Sequence, residues 1–273
     1  MNDEKLIVVM RGGGDLATGV AQKLWRAGFR LAILEIPEPT TIRRTVALST
    51  AMKAGVCQVE DMTARRADSP AGCAAIWAKG EIPVLADRDC GCLPELRPDI
   101  LIDAIIAKRN LGTNRAMAPV TIALGPGFRA PDDVDGVIET MRGHYLGRLI
   151  LRGEAIPDTA TPGEIGGRGA ERVVHAAAAG VIRHCRQIGD RVNEGDALFL
   201  IEDPEGRDHP RTAPSPLTGT LRGLIAEGIA VDRGMKCADV DPRPADEVDC
   251  HTISDKARCL GGAALEACLY LRR

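Results

Sequence analysis

The chain has 273 residues, of which 45% are hydrophobic and 27% are charged, and its formal net charge is −3. This length suits one large domain or two of ordinary size. Aromatic residues make up only 3% of the chain, which argues against a platform that stacks single-stranded bases, and the negative charge argues against binding a phosphate backbone. We therefore expect no nucleic-acid partner.

The cysteines and the hydropathy indicate a reducing compartment. Nine cysteines occur without an export signal, because the apolar run at residues 6–10 is short and its flank is acidic. No stretch approaches the ~20 apolar residues that a membrane-spanning helix needs. We expect a cytoplasmic protein with no membrane partner.

The first part of the chain alternates between strand and helix patterns. An apolar run at 6–10, helical spacing at 17–27 and a second apolar run at 30–35 predict a β-α-β unit. Further strands are predicted at 82–86, 99–103, 119–124, 136–140 and 147–151. The expected fold class is α/β, with a Rossmann-like parallel sheet domain over residues 1–165 and a second, smaller all-β domain.

A glycine-rich loop separates the first predicted strand from the first predicted helix. It consists of Gly12, Gly13, Gly14 and Asp15, and Glu35 ends the next strand. Glycine lets the backbone approach a phosphate, a helix N-terminus favours an anion, and Glu35 would bond a ribose hydroxyl. The pattern predicts a site for NAD or another nucleotide. The alternative is a turn that only allows close packing, since Asp15 would repel a pyrophosphate.

Other loops offer groups suited to a small anionic ligand. Arginine side chains suit phosphates and oxyanions, and glycines present backbone amides. The candidates are Arg43, Arg44, Gly125, Gly127, Arg142 and His144. Ordinary turns and exposed charged loops are the alternatives at each position.

Three residues are candidates for chemistry. Asp103 is expected at the carboxyl end of a strand, where α/β folds bind ligands, and Lys108 follows in the next loop. Cys250 is a candidate reactive thiol and the favoured ligand for a soft metal. The alternatives are a carboxylate that caps a turn and a small buried side chain.

After a predicted linker at 157–169, the sequence repeats itself at an offset of 39 residues, as from Gly180 to Gly219 and from Arg183 to Arg222. The glycine pattern resembles a biotinyl/lipoyl-like barrel-sandwich domain, predicted over 170–244. No lysine occurs from 109 to 235, so neither biotin nor lipoate can be attached there. A final helix within 250–273 is expected to return to the α/β domain.

Several longer motifs resemble one family. They lie at 11–19, 39–44, 103–110, 124–128, 137–144, 239–243 and 252–256. The chain resembles the YqeB family, the selenium-dependent molybdenum hydroxylase system proteins. The resemblance implies an accessory role in hydroxylase maturation, with the hydroxylase or its maturation proteins as partners and a nucleotide-containing molybdenum cofactor as a candidate ligand.

The residues leave other functions open. One is an NAD-dependent redox enzyme, with Glu35 on the ribose and Cys250 as its thiol. Another is a non-catalytic scaffold. Self-association into a homo-oligomer and catalysis itself are also left open.

Overall fold

The computed structural model describes residues 5–158, 167–203, 205–206 and 209–272, and divides the chain into two compact units. The α/β unit comprises Met1–Pro39, Val46–Thr159 and Ile253–Arg273. The β unit comprises Thr40–Thr45 and Ala160–Thr252. Most of the predicted linker, at 159–166, lies outside the described residues. Within the described ranges, no helix has the length and apolar character needed to cross a bilayer.

A nine-stranded sheet forms the centre of the α/β unit. Its order is β10-β9-β7-β6-β1-β2-β5-β4-β3. The strands are β1 (Ile7–Arg11), β2 (Arg30–Glu35), β3 (Val56–Val59), β4 (Met62–Ala67), β5 (Ile82–Ala86), β6 (Ile100–Asp103), β7 (Val120–Leu124), β9 (Gly136–Ile138) and β10 (Leu149–Ile150). A separate pair joins β8 (Arg129–Ala130) to β11 (Gly153–Glu154).

Helices cover both faces of this sheet. They are α1 (Asp15–Arg26), α2 (Ala51–Ala54), α3 (Cys73–Trp77), α4 (Leu93–Leu96) and α5 (Asp255–Leu271). Side chains alternate across β1, so Val8 and Met10 join the core beneath α1 and α5 while Val9 joins the core with α3 and α4. Burial on both faces explains why the central strands read as continuous apolar runs.

The prediction of a parallel sheet is wrong, because the large sheet is mixed. The seven inner strands, from β9 to β4 in the order across the sheet, are parallel, whereas the two edge strands β10 and β3 run antiparallel to their neighbours. The turn Glu60–Asp61 joins β3 to β4 directly, and so short a connection requires antiparallel strands. The half-exposed edge strand β3 gave no apolar run for the sequence to reveal.

The β unit contains two four-stranded antiparallel sheets. One has the order β12-β19-β17-β14 and the other β16-β15-β13-β18. The strands are β12 (Val173–His175), β13 (Gly180–His184), β14 (Arg191–Val192), β15 (Ala197–Glu202), β16 (Arg211–Pro214), β17 (Gly219–Leu224), β18 (Ala230–Val231) and β19 (Lys236–Asp241). Their inward side chains, among them Ile182, Phe199 and Leu221, form a second core.

The predicted biotinyl/lipoyl-like barrel-sandwich domain is also corrected. Among the described residues, the backbone ladders form two open sheets, and none joins one sheet to the other. The repeated glycines Gly189, Gly195, Gly228 and Gly234 all have φ between 77° and 99°. Tight turns of many folds require this left-handed conformation, so the glycine pattern identified turns and not a biotinyl/lipoyl-like barrel.

Candidate functional site at the carboxyl edge of the sheet

The glycine loop lies where the strand order of the large sheet reverses. From β1 the chain continues to β2 on one side, and β6 later takes the position on the other side. In open α/β sheets this switch point, at the carboxyl ends of the strands, is where ligands bind. We define the glycine-loop site as Gly12–Asp15, Glu35 and Lys256.

The protein itself occupies much of the surface of the loop. Gly12 has φ +91°, and a Cβ there would lie 3.0 Å from the Cα of Ile105. A Cβ on Gly13 would lie 3.0 Å from the backbone nitrogen of Ser49, which donates to the Gly13 carbonyl at 2.8 Å. Close backbone packing at both positions, together with the positive φ of Gly12, therefore favours glycine without any ligand.

The carboxylate of Glu35 closes the loop from the next strand. One oxygen accepts the amide of Gly13 and the other accepts the amide of Ile36, each at 2.9 Å. Burial raises the pKa of Glu35, and the two amides offset part of this effect. Since each carboxylate oxygen can accept a second hydrogen bond, Glu35 keeps the capacity to bind a hydroxyl.

Asp103 belongs to a buried network beneath the loop. One oxygen accepts the Thr113 hydroxyl at 2.6 Å and faces the Arg11 guanidinium at 3.5 Å, and the other accepts the amide of Ile105 at 3.1 Å. Arg11 also donates to the Thr113 hydroxyl and to the carbonyl of Arg88. Burial raises the pKa of Asp103 despite these partners. The arrangement holds β1 against β6, a structural use of the predicted catalytic carboxylate.

The remaining loop candidates are engaged elsewhere in the α/β unit. Lys108 pairs with Asp158 at 2.7 Å. The Gly125 amide donates to a carbonyl at 2.8 Å, and a Cβ on Gly127 would lie 2.6 Å from the Cα of Arg109. Arg142 makes two bonds to Asp255, at 2.8 and 3.1 Å, and His144 is exposed. The structure therefore does not bring these groups together as one anion clamp.

Helix α5 adds a lysine that the sequence analysis missed. Gly19 of α1 lies against Ala257, and Lys23 lies against Gly261, so α1 and α5 run side by side in the same direction. Their N-termini consequently meet at the same edge of the sheet. Lys256, in the first turn of α5, is half-buried and interacts electrostatically with Asp15.

The surroundings of Lys256 disfavour the charged form of its side chain. Burial lowers the pKa of its ammonium group, and Arg142 lowers it further, whereas Asp15, Glu139 and Asp255 act in the opposite direction. At the neighbouring N-terminus, Gly14 occupies the N-cap position of α1 and has no side chain to cap the first-turn amides. The site thus combines uncapped helix amides with a half-buried cation.

The three predicted groups outside the α/β unit are Arg43, Arg44 and Cys250, which belong to the β unit. Arg44 donates to the carbonyl of Leu224 at 2.6 Å, and burial lowers its pKa. Cys250 is 3% exposed, and burial raises its thiol pKa although Arg43 and Arg222 act against this. Among the described residues, no group of three or more His, Cys, Asp or Glu side chains is placed to hold a metal ion.

By fold and site, the chain is a mixed-sheet α/β protein with a glycine loop at its switch point and an appended β unit. No family model matches it. It is 48% identical over 265 residues to the uncharacterized protein YqeB of Escherichia coli (strain K12), a match that covers 97% of this chain and 48% of that protein. This identity supports the resemblance to the YqeB family. The chain spans about half the length of this curated relative.

Solved structures show only slight likeness. The product-bound ectoine utilization protein EutE (DoeB) from Ruegeria pomeroyi is 11% identical, covering 86% of this chain and 85% of its own, with a TM-score of 0.28. A succinylglutamate desuccinylase from a Silicibacter strain is 14% identical, covering 88% of this chain and 85% of its own, with a TM-score of 0.28. An aspartoacylase family protein from Mesorhizobium loti is 9% identical, covering 87% of this chain and 85% of its own, with a TM-score of 0.30. Likeness this slight transfers no activity to this chain.

Proposed function

We propose that the chain binds a small phosphate-bearing ligand, a nucleotide in class, at the glycine-loop site. The observation that carries this proposal is the meeting of two helix N-termini with the half-buried Lys256 beside them. A phosphate would accept hydrogen bonds from the first-turn amides of α1 and interact favourably with its dipole. The ammonium group of Lys256 would offset the carboxylate of Asp15, which otherwise repels the ligand.

Glu35 favours a ligand that carries a ribose. Its carboxylate ends β2 beside the loop and retains acceptor capacity for a hydroxyl group. NAD and a nucleotide-containing molybdenum cofactor both present a ribose next to a pyrophosphate. The described residues supply no metal-ligand cluster, so any molybdenum would be held by its own organic part and not by this chain.

The resemblance to the YqeB family extends the proposal to a role. We infer that the chain is an accessory protein in the maturation of a selenium-dependent molybdenum hydroxylase, and that the ligand is the nucleotide-bearing cofactor in transit. The alternative of an NAD-dependent redox enzyme is less well supported, because burial raises the pKa of the proposed Cys250 thiol and so disfavours the reactive thiolate.

Calorimetric titration with NAD, NADP, AMP and pyrophosphate tests the site. We expect a nucleotide to bind, and Lys256→Gln to weaken it about tenfold because a charge-assisted contact is lost. Lys79→Gln removes the same charge at an exposed position and should leave affinity unchanged. The absence of binding by every nucleotide, or equal affinity of Lys256→Gln and wild type, would contradict the proposal.

The role needs a separate experiment. Protein purified gently from cells that make the hydroxylase should carry a nucleotide-bearing molybdenum cofactor, detected by mass spectrometry and by elemental analysis. Recovery of the hydroxylase with no bound small molecule would favour the scaffold instead.

A further inference from the structure

A cavity lies at the amino edge of the large sheet, the opposite edge from the glycine-loop site. Its volume is about 320 Å³. Lys5 and Arg30 stand beside it at the starts of β1 and β2, and Trp25 and Trp77 contribute from the last turns of α1 and α3. This volume is at the lower end of the range found for small-molecule sites, roughly 300–1,000 Å³.

The cavity gathers aromatic side chains from a chain that has few. It is lined by Phe29 and by Trp25 and Trp77, which are both of the tryptophans in the sequence. The Trp25 indole donates to the carbonyl of Gly80 at 3.0 Å, and the Trp77 indole donates to the carbonyl of Leu31 at 2.6 Å. Because both indole N–H groups are satisfied inside the protein, the surface that they offer to a ligand is apolar ring.

The charges at the cavity are unbalanced in favour of cations. In the described part of the chain, neither Lys5 nor Arg30 has an acidic side-chain partner. The one lining carboxylate, Glu81, is already neutralised by Arg65 through two bonds of 2.6 and 3.0 Å. At the adjoining helix ends, the carbonyls of Trp25 and Trp77 accept hydrogen bonds from the amides of Gly28 and Gly80. Among the described residues, an anionic ligand would therefore meet two cations that have no acidic side-chain partner.

We propose that this cavity binds a small planar aromatic carboxylate. The ring would pack against Trp25, Trp77 and Phe29, and the carboxylate would pair with Lys5 and Arg30. Aromatic faces alone can attract an ammonium ligand, but Lys5 and Arg30 would repel it here. The proposed site is separate from the glycine-loop site and does not depend on a nucleotide binding there.

The sequence supplies a direct reporter, because both tryptophans line the cavity. Titration of the intact protein with p-nitrobenzoate should quench tryptophan fluorescence in a saturable manner, and calorimetry should give the same affinity. The neutral p-nitrobenzamide tests the role of charge, phenyltrimethylammonium tests the opposite charge, and acetate tests the need for a ring. We expect the aromatic carboxylate to bind at least about fivefold more tightly than each of the other three compounds.

Variants of Lys5 and Arg30 complete the test. Neither side chain belongs to the buried core, so the substitutions should leave the protein folded. Lys5→Gln and Arg30→Gln should each weaken p-nitrobenzoate about threefold to tenfold and leave p-nitrobenzamide unchanged. Lys53→Gln, which alters the same charge away from the lining residues, should change neither affinity. Tighter binding of phenyltrimethylammonium, equal binding of acid and amide, or no saturable binding of the acid would each overturn the proposal.

Discussion

The two halves of the β unit place the same ion pair in opposite surroundings. Strands β13 to β15 correspond to β17 to β19 at an offset of 39 residues, as from residue 180 to 219. In the first half, Arg183 pairs with Glu202 at 2.8 Å, and their side chains are 49% and 38% exposed. In the second half, the equivalent Arg222 faces Asp241 at 3.6 Å and Asp239 at 2.8 Å, both buried.

From this difference we infer that burial decides what such a pair contributes. Around the second pair, Arg172 adds a bond to Asp239 and Arg243 adds a bond of 2.8 Å to Asp241. Water screens the first pair, so its removal costs little. In the second half, removal of one carboxylate takes a buried partner from arginines that are themselves only partly exposed, which costs more.

The largest expected effect comes from Asp241→Ala. We expect the opening free energy of β17 and β19 to fall by about 3 kcal/mol, since Arg222 and Arg243 lose a fully buried partner but keep partial access to water. Hydrogen exchange followed by mass spectrometry suits the measurement, because the sequence of this unit contains no tryptophan or tyrosine. The same substitution at the equivalent Glu202 is the control, and equal losses from the two variants would refute the comparison.

A smaller effect is expected from Gly219→Ala. A Cβ there would lie 2.1 Å from the carbonyl oxygen of Asp241, and a Cβ on the equivalent Gly180 would lie 2.5 Å from that of Glu202. Strand β17 must shift, at a cost of about 1–3 kcal/mol by the same exchange measurement. Gly228→Ala, with open space but φ +77°, should cost only about 1 kcal/mol. A larger loss from Gly228→Ala than from Gly219→Ala would show that backbone conformation outweighs contact here.

The pH dependence of stability should also separate the halves. Burial alone would raise the pKa of Asp241, but its bonds from Arg243 and the charge of Arg222 outweigh this and lower it. A carboxyl whose pKa is lower folded than unfolded stabilises the protein above its unfolded pKa of ~3.9, and this contribution is lost as the pH falls through the folded value. Exchange protection of β19 should therefore drop on acidification below about pH 4.

Asp241→Asn should reduce that dependence, because the amide cannot titrate. Its protection should be lower than that of the wild type at neutral pH and should change less between pH 5 and 3. An unchanged slope would assign the acid sensitivity to other carboxylates.

The sequence predicted local features well and non-local ones poorly. The apolar runs correctly placed β1 and β2, and helical spacing placed α1 between them, because strands buried on both faces need continuous apolar residues. The β3–β4 hairpin escaped detection because its edge strand is half-exposed. The repeated turn glycines were identified, but their φ angles are common to many β folds, so the prediction of a biotinyl/lipoyl-like barrel was wrong.

At the glycine-loop site, local pattern identified the loop and Glu35 but not Lys256. That lysine reaches the loop only because α5 packs against α1 from the far end of the chain, and its one local sign is glycine at Gly19 and Gly261, where the helix backbones touch. Arg43 and Arg44 lie close to the loop in sequence yet belong to the β unit. Residues distant in sequence can thus lie at the site, and residues near it in sequence can belong to another unit.

The smallest effect is expected at the exposed ion pair in the first half of the β unit. Arg183→Gln removes the exposed member of the repeated pair, and the protection of β13 and β15 should remain the same as that of the wild type, because solvent screens the charge of Glu202. Arg222→Gln makes the same change at the equivalent position and should lower the protection of β17 and β19 clearly, since buried Asp239 loses two bonds. Raising the salt concentration should alter neither result, because the first pair contributes little at any ionic strength and the second is shielded from solvent ions. If Arg183→Gln proved as damaging as Arg222→Gln, strand pairing and not burial would set the value of this repeated contact.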